Sequence, residues 1–304
     1  MTGGAGFIGS HLTETLVKRG DRVRVIDNFS SGDPRNLAGL EGKIELIQGD
    51  LRNRAEVQAA VGQTDFIFHE AAFVSVPQSI ENPGECYAIN VNGTIELLEA
   101  ARQAGVRRVV LASSAAVYGP DGALPQRETA PTVCLSPYAA SKQFNETLAK
   151  LYSSTYQLPV VALRYFNVYG PRQSPFSEYA AVIPQFIRRF KGGLSPLVYG
   201  DGQQTRDFIY VSDVVRANLL AAEEEGLAGQ VFNVCSGAET SLLDLLGVLA
   251  SIFPTAPQAE FTDPRPGDVP RSLGDPGLIE KALGFRAEVS LAEGLAHCVS
   301  EWRV

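Results

Sequence analysis

Short apolar runs recur along the first half of the chain. Between them lie segments whose apolar positions return every three or four residues. The runs are Val23-Arg24-Val25-Ile26-Asp27, Lys43-Ile44-Glu45-Leu46-Ile47-Gln48, Asp65-Phe66-Ile67-Phe68-His69, Arg107-Arg108-Val109-Val110-Leu111-Ala112 and Val160-Val161-Ala162-Leu163-Arg164. They read as strands. Helical spacing covers residues 10–19, about 84–104 and 138–155. In the first of these Ile8, Leu12, Leu16 and Val17 share a face, and Gly20 supplies a stop. Strand and helix in alternation predict an α/β fold, a doubly wound parallel sheet with helices on both faces. Ligands of such sheets sit outside the carboxyl ends of the strands. Asp27, Asp50, His69, Ser113, Ser114 and Asn167 fall at or just past those ends, which predicts one shared cleft. Beyond about residue 168 the texture changes. Gly and Pro become frequent, as in Gly170-Pro171-Arg172 and Pro264-Arg265-Pro266-Gly267-Asp268, and helices are predicted at 179–191, 212–225, 241–252 and 290–302. This predicts a smaller, mixed C-terminal substrate lobe over residues 169–304, beside a first lobe over 1–168 to which later segments cross back.

The first residues carry chemistry. Gly4, Gly6 and Gly9 form G-x-G-x-x-G directly before the first predicted helix. Such a turn lets the backbone approach a pyrophosphate and aims a helix N-terminus at it. Asp27 ends the following strand 18 residues past Gly9, close to the spacing of a carboxylate that binds adenosine ribose hydroxyls. Turn, helix, strand and acid in this order predict a Rossmann-type dinucleotide site. A carboxylate there repels a 2′-phosphate, which favours NAD over NADP; Arg24 and Arg35 are the nearby basic residues that argue the other way. The turn should also follow a buried central strand, yet only Met1 and Thr2 precede it. The expectation is a native chain that starts upstream, its beginning assigned too late or trimmed away.

Composition narrows the partners. A length of 304 residues allows about two domains. A net charge of −8 argues against nucleic acid and anionic membranes, so local basic residues must do any phosphate binding. Cys86, Cys134, Cys235 and Cys298 are scattered, and so are the three histidines, so no metal site is expected and reduced, cytoplasmic thiols are. No signal peptide and no apolar run long enough to span a bilayer is present. Tyr138 and Lys142, four apart near the start of a predicted helix, share a face. A phenol with its reference pKa of ~10 is a poor base at neutral pH, but a neighbouring ammonium and a bound nicotinamide cation favour phenolate. Ser114, at a strand end, can bond the same oxygen. The three together predict a general base poised over a hydroxyl.

With these residues the chain resembles the extended short-chain dehydrogenases/reductases of the NAD-dependent nucleotide-sugar epimerase/dehydratase group, over nearly its whole length. The resemblance runs through Thr2–Gly9, Asp27–Gly32, Gly49-Asp50-Leu51, His69-Glu70-Ala71-Ala72, Asn90–Thr94, Ser113–Gly119, Ser136-Pro137-Tyr138, Arg164–Gly170, Gly200-Asp201-Gly202 and Arg206-Asp207-Phe208. It implies catalysis by Ser114, Tyr138 and Lys142. It implies an NAD site built from Gly3, Gly6, Phe7, Ile8, Gly9, Asp27, Asn28, Ser31, Gly32, Ala72 and Tyr165, with Asp50 and Leu51 at the adenine. Ala71 and Asn90 would line the cofactor channel, and Lys142 would also bond the nicotinamide ribose. For a UDP-sugar it implies Asn167 and Arg206 at the diphosphate, Ala181 and Val182 against the uracil, Arg265 and Asp268 completing the clamp, and Ser75, Ser114 and Tyr138 at the sugar.

Ala115 and Ala116 follow Ser114 where similar dehydratases and decarboxylases carry carboxylates and similar epimerase-reductases carry a cysteine. The resemblance therefore implies a 4-epimerase that oxidises and re-reduces one carbinol. Among UDP-sugar 4-epimerases, a C-terminal wall residue admits or excludes an N-acetyl group, and by count from Gly267-Asp268 that residue here is Ser272. A small residue there implies UDP-GlcNAc/UDP-GalNAc interconversion, with UDP-Glc/UDP-Gal as well. A UDP-glucuronate 4-epimerase and a non-catalytic NAD-binding module of the same fold remain the alternatives. The resemblance also implies a homodimer formed through the helices at about 84–104 and 138–155.

Overall fold

Apolar strands that must bury both faces dictate the architecture. The computed structural model describes residues 1–120, 122–175, 181–253, 257–264 and 269–302. Its first half alternates α1 (Phe7–Arg19), β1 (Val23–Asp27), β2 (Ile44–Gln48), α2 (Arg54–Val61), β3 (Phe66–His69), α3 (Val76–Glu81), α4 (Pro83–Tyr87), a π turn (Ala88–Asn92) and α5 (Gly93–Ala104). There follow β4 (Arg108–Ser114), a short 3₁₀ turn (Ala115–Tyr118), α6 (Pro137–Thr155), β5 (Val160–Tyr165) and β6 (Asn167–Tyr169). The second half runs α7 (Val182–Lys191), β7 (Leu197–Tyr199), β8 (Thr205–Arg206), β9 (Phe208–Tyr210), α8 (Val211–Glu223) and β10 (Val231–Val234). It ends with β11 (Thr240–Ser241), α9 (Leu242–Ile252), β12 (Glu260–Thr262), α10 (Gly277–Leu283) and α11 (Leu291–Ser300).

The main sheet is parallel. β1 pairs with β2, and β3, β4, β5 and β10 pair in that order. The slot between β1 and β3, where the strand before the glycine turn was expected, is bridged by Thr2, which pairs with both Ile26 and His69. Thr2 N–H donates to Phe68 O at 3.0 Å, and Gly3 N–H to Ile26 O at 3.0 Å. The Met1 ammonium donates to Arg24 O at 2.8 Å, and burial pulls its pKa down to about 5.

Strand alternation divides the core. Val110 and Ala112 of β4 face Leu12, Leu16, Val214 and Phe232 with α1 and α8, while Val109 and Leu111 face Val57, Leu97, Leu98 and Leu148 with α2, α5 and α6. Helices thus cover both faces, as predicted. The predicted helix over 84–104 is helical throughout, running without a break as α4, the π turn and α5, and Asn82 and Pro83 separate it from α3. The predicted helix over 179–191 is described from Val182 onward. β10 had no expected strand; it is a fully buried run of four that completes the sheet beside β5. A third core, with Tyr169, Phe186, Ile187, Val198, Leu245 and Leu295, packs α7, α9 and α11 around β6 and β9.

α6 is pinned to the sheet by a buried ion pair. Arg164 donates to both Glu146 oxygens at 2.7 Å, and Ser113 Oγ donates to the same carboxylate at 2.6 Å. Removing one partner leaves a buried charge uncompensated, so Glu146→Ala should cost about 3–5 kcal/mol. Urea unfolding followed by circular dichroism measures this; a midpoint equal to wild type would refute it.

Candidate active site

The glycine turn leaves no room for side chains. A Cβ at Gly3, whose φ is +67°, would stand 2.6 Å from Ala71 N, and one at Gly9 would stand 2.1 Å from Gly3 O. α1 begins at Phe7 with no side-chain cap, so the first-turn N–H groups of Phe7, Ile8 and Gly9 have no partner within the helix. That is a ready phosphate site. Beside it Asp27 is buried; its oxygens accept from Ala5 N–H at 2.9 Å and Phe29 N–H at 2.8 Å. A carboxylate has further lone pairs for a ribose diol. Arg24 is turned to Glu45 and to the carbonyls of Ala60 and Gly62, and Arg35 to Asp33, so neither is held beside Asp27. Asn28 donates to Asp50 at 2.9 Å, and the Arg52 guanidinium holds the Asp50 carboxyl well below its usual range. This cradle fits an adenine dinucleotide without a 2′-phosphate.

The end of β4 and the first turns of α6 bring the three expected catalytic residues together. Ser114 ends β4, and its hydroxyl hydrogen-bonds the Tyr138 phenol. Tyr138 opens α6 behind Pro137, with its N–H on Ser79 Oγ at 3.2 Å and Ser136 as the helix cap. Lys142, one turn on, is buried; its Nζ donates to Ala112 O at 2.9 Å and lies 5.8 Å from the Tyr138 ring centroid. Burial lowers the Lys142 pKa to about 8, against the pull of the Glu70 carboxylate. Burial also pushes the Tyr138 phenol above 10, and the Ser114 bond draws it back. The ammonium has two protons beyond the one on Ala112.

The residues expected at a UDP-sugar lie in and beside β6, β8 and α7. Asn167 donates its side-chain amide to Asp207 O at 3.3 Å, and Arg206 Nη1 donates to Thr205 O and Val269 O at 2.8 and 2.6 Å. Ser272 N–H donates to Thr205 O at 3.2 Å, which places this residue beside β8. Ala181 is the residue before α7, and Val182 is its first. Arg265 and Asp268 lie outside the described residues.

A sequence model described as the NAD dependent epimerase/dehydratase family matches residues 1–235. The chain belongs to that family. It is 40% identical over 308 residues to a UDP-glucose 4-epimerase of Mycolicibacterium smegmatis, covering 100% of this chain and 97% of that one. It superposes with a TM-score of 0.95 on a UDP-N-acetylglucosamine 4-epimerase from Methanobrevibacter ruminantium in complex with UDP-N-acetylmuramic acid, at 37% identity and covering 99% and 96% of the two chains. It also superposes, with a TM-score of 0.89, on the Thermus thermophilus UDP-glucose 4-epimerase in complex with NAD, at 38% identity over 99% and 97%.

In this member of the epimerase/dehydratase family, two of the expected cleft residues, His69 and Ser113, turn away into the core. His69 is no cleft residue. It is buried between Thr2 Oγ1 and Thr94 Oγ1 at 2.8 and 2.9 Å, and burial lowers its pKa to about 3. Ser113 turns away to Glu146. Asn90 is buried, with its amide bonded to the Phe73 backbone and to Ser141. Leu51 is buried in the core against Gly93. Ser75 caps α3 through Gln78 N–H. Ser31 is exposed, Gly32 packs against the Asp27 carboxylate, and Ala72 is half-buried behind Ala71. Tyr165 is buried and donates its hydroxyl to Glu70 at 2.7 Å. Glu70 is the residue that sequence reasoning passed over. Its signal was a lone acid between a strand end and Ala71-Ala72.

The clash at Gly9 is with backbone, which cannot swing aside. Gly9→Ala should lower retained NAD by about tenfold or more, equivalent to about 1.4 kcal/mol. Nucleotide released from the purified, denatured protein reads this; wild-type cofactor content would overturn the cradle.

Proposed function

We propose that the protein is a UDP-sugar 4-epimerase that interconverts UDP-GlcNAc and UDP-GalNAc, and UDP-Glc and UDP-Gal with them. The observation that carries this reading is the meeting of Ser114, Tyr138 and Lys142 at the end of β4, followed by Ala115 and Ala116. Bound NAD would supply what these side chains lack, a group that takes a hydride from the sugar C4 and returns it. Tyr138 takes and returns the C4 hydroxyl proton, and Ser114 orients that oxygen. Burial holds the phenol above its usual range, so a cation brought beside it is what makes it a base near neutrality. Lys142 holds ribose hydroxyls with its remaining protons. Ala115 and Ala116 offer no proton-transfer group, so elimination and decarboxylation lack a side-chain acid there.

On the same reading, residues 1–168 bind NAD, with later segments crossing back, and 169–304 hold the UDP-sugar. Arg206 serves the diphosphate, with Arg265 and Asp268 beside it. A cytoplasmic homodimer goes with this reading. Phe144 and Leu151, seven apart on one face of α6, are exposed, which supports a second copy packing there. No described helix is long and apolar enough to cross a membrane.

Product analysis after incubation with UDP-GlcNAc, UDP-Glc and UDP-GlcA, without added NAD, decides the substrate. Epimers of the first two are expected; turnover of UDP-GlcA alone would replace the reading with a glucuronate epimerase. Tyr138→Phe should lower kcat by about 10²–10⁴-fold with the cofactor retained; unchanged kcat would refute its role. Ser272→Tyr should lower kcat/KM for UDP-GlcNAc by about tenfold or more while sparing UDP-Glc. Equal losses on both sugars would remove Ser272 from the pocket wall.

A further inference from the structure

Glu70 is a carboxylate for which the proposed mechanism has no use. It follows the last residue of β3, and its backbone lies against the glycine turn: Glu70 N–H donates to Thr2 O at 3.3 Å, and a Cβ at Gly3 would come 3.0 Å from the Glu70 carbonyl carbon. Its side chain reaches the other way. It accepts from Tyr165 Oη at 2.7 Å, and that oxygen accepts from Asn218 Nδ2 at 2.8 Å. Tyr165 and Asn218 are buried, whereas Glu70 is half-buried. The acid therefore stands between the phosphate cradle and the Ser114–Tyr138–Lys142 group. A dinucleotide anchored at the cradle must pass this point to bring its reactive ring to Tyr138.

We propose that Glu70 sets the charge balance of the cofactor site, its carboxylate favouring the cationic oxidised nicotinamide over the neutral reduced one. This rests on the NAD-dependent reading of the site. Coulomb attraction between a carboxylate and a pyridinium in a partly desolvated cleft stabilises only the cation. It makes acceptance of a hydride harder and its return to a keto sugar easier. An enzyme that must end each cycle oxidised benefits from that bias. The ionisable groups facing Glu70 are Tyr165 from β5 and Lys142 from α6, while Tyr138, also on α6, feels the charge of Glu70. Burial raises the Glu70 pKa to about 7, with the Tyr165 bond and Lys142 pulling the other way. A bound cation lowers it further.

The test uses the holoprotein and sodium cyanoborohydride, which delivers hydride from boron to the bound nicotinamide and discharges its positive charge. Near-ultraviolet absorbance of the reduced ring reports the rate. Glu70→Gln keeps an oxygen for the Tyr165 hydroxyl and loses the charge. It should be reduced about tenfold faster than wild type at alkaline pH, the two rates converging as pH falls through the Glu70 titration. Equal rates at all pH, or a ratio independent of pH, would overturn the proposal. Tyr165→Phe keeps the charge and removes the bond that favours it, so the pH step in wild-type reduction should move up. An unmoved step overturns the proposal even where Glu70→Gln loses its cofactor. Wild type that holds no NAD and epimerises no UDP-sugar would instead sink the functional reading.

Discussion

The carboxylate of Glu146 fixes three elements at once. It takes two bonds from Arg164 of β5 and one from Ser113 of β4, while its own helix is α6. Both partners of the ion pair are almost wholly buried, with 5% side-chain exposure each. Each of the three residues has a site residue close by along its own element: Ser114 follows Ser113, Lys142 lies one turn before Glu146, and Tyr165 follows Arg164. A slip of α6 by one residue would rotate Tyr138 and Lys142 by about 100° around the helix. Apolar contacts tolerate such slips better than a two-point bond between planar groups. Burying ions adds little net stability over a well-packed apolar pair, so we read its use here as register. Arg164 also stacks its guanidinium 4.6 Å from the Tyr118 ring centroid, and Tyr118 Oη donates to Asn233 Oδ1 at 2.6 Å, which carries the same constraint to β10.

Much of this was legible in the sequence, and the remainder failed for definable reasons. The glycine turn, Asp27 and the Tyr138–Lys142 spacing are local, so spacing alone reveals them. Strand existence followed from apolar runs, and β1 has the predicted bounds. What spacing cannot tell is which way a side chain at a strand end turns. His69, Ser113 and Ser114 all fall at such ends, yet only Ser114 faces the cleft, because Thr94 and Glu146 offer the other two buried partners. Asn90 was expected at the channel and Leu51 at the adenine on likeness of motif, which says nothing of the loop that the Asn90 amide holds or of the core in which the Leu51 side chain packs. β10 escaped notice because four buried residues carry no period that separates strand from helix.

Long-range convergence was the least legible feature. Asp207, fully buried, accepts from Ser236 N–H and Oγ–H, Gly237 N–H and Gly274 N–H. Four donors from two distant loops meet one acid. The bonds favour its charged form while burial opposes it. Through this acid the segment carrying Ser272 is tied beside Arg206, the neighbour of Asp207 in sequence. No pattern within either segment announces the other. The Gly and Pro content that marked the second half as irregular is the composition such crossing loops need.

The cost of the site shows in its proton linkage. Burial drives the Glu70 pKa up to about 7 and the Lys142 pKa down to about 8, so the two approach each other from opposite sides. For Glu70 the folded state binds the proton more tightly than the unfolded chain, so its share of stability is lost as pH rises from the ordinary carboxyl range through about 7. For Lys142 the folded state binds the proton less tightly, so its share is lost as pH falls from the ordinary lysine range through about 8. Between those values both penalties are present together. The fold therefore holds, near neutrality, a half-buried carboxylate bonded to Tyr165 and a buried ammonium bonded to Ala112 O. Ribose hydroxyls for the ammonium and a cation for the carboxylate are the partners that an oxidised nicotinamide nucleotide brings. The groups whose burial costs the fold stability are thus the same ones that would make the cleft hold its cofactor tightly.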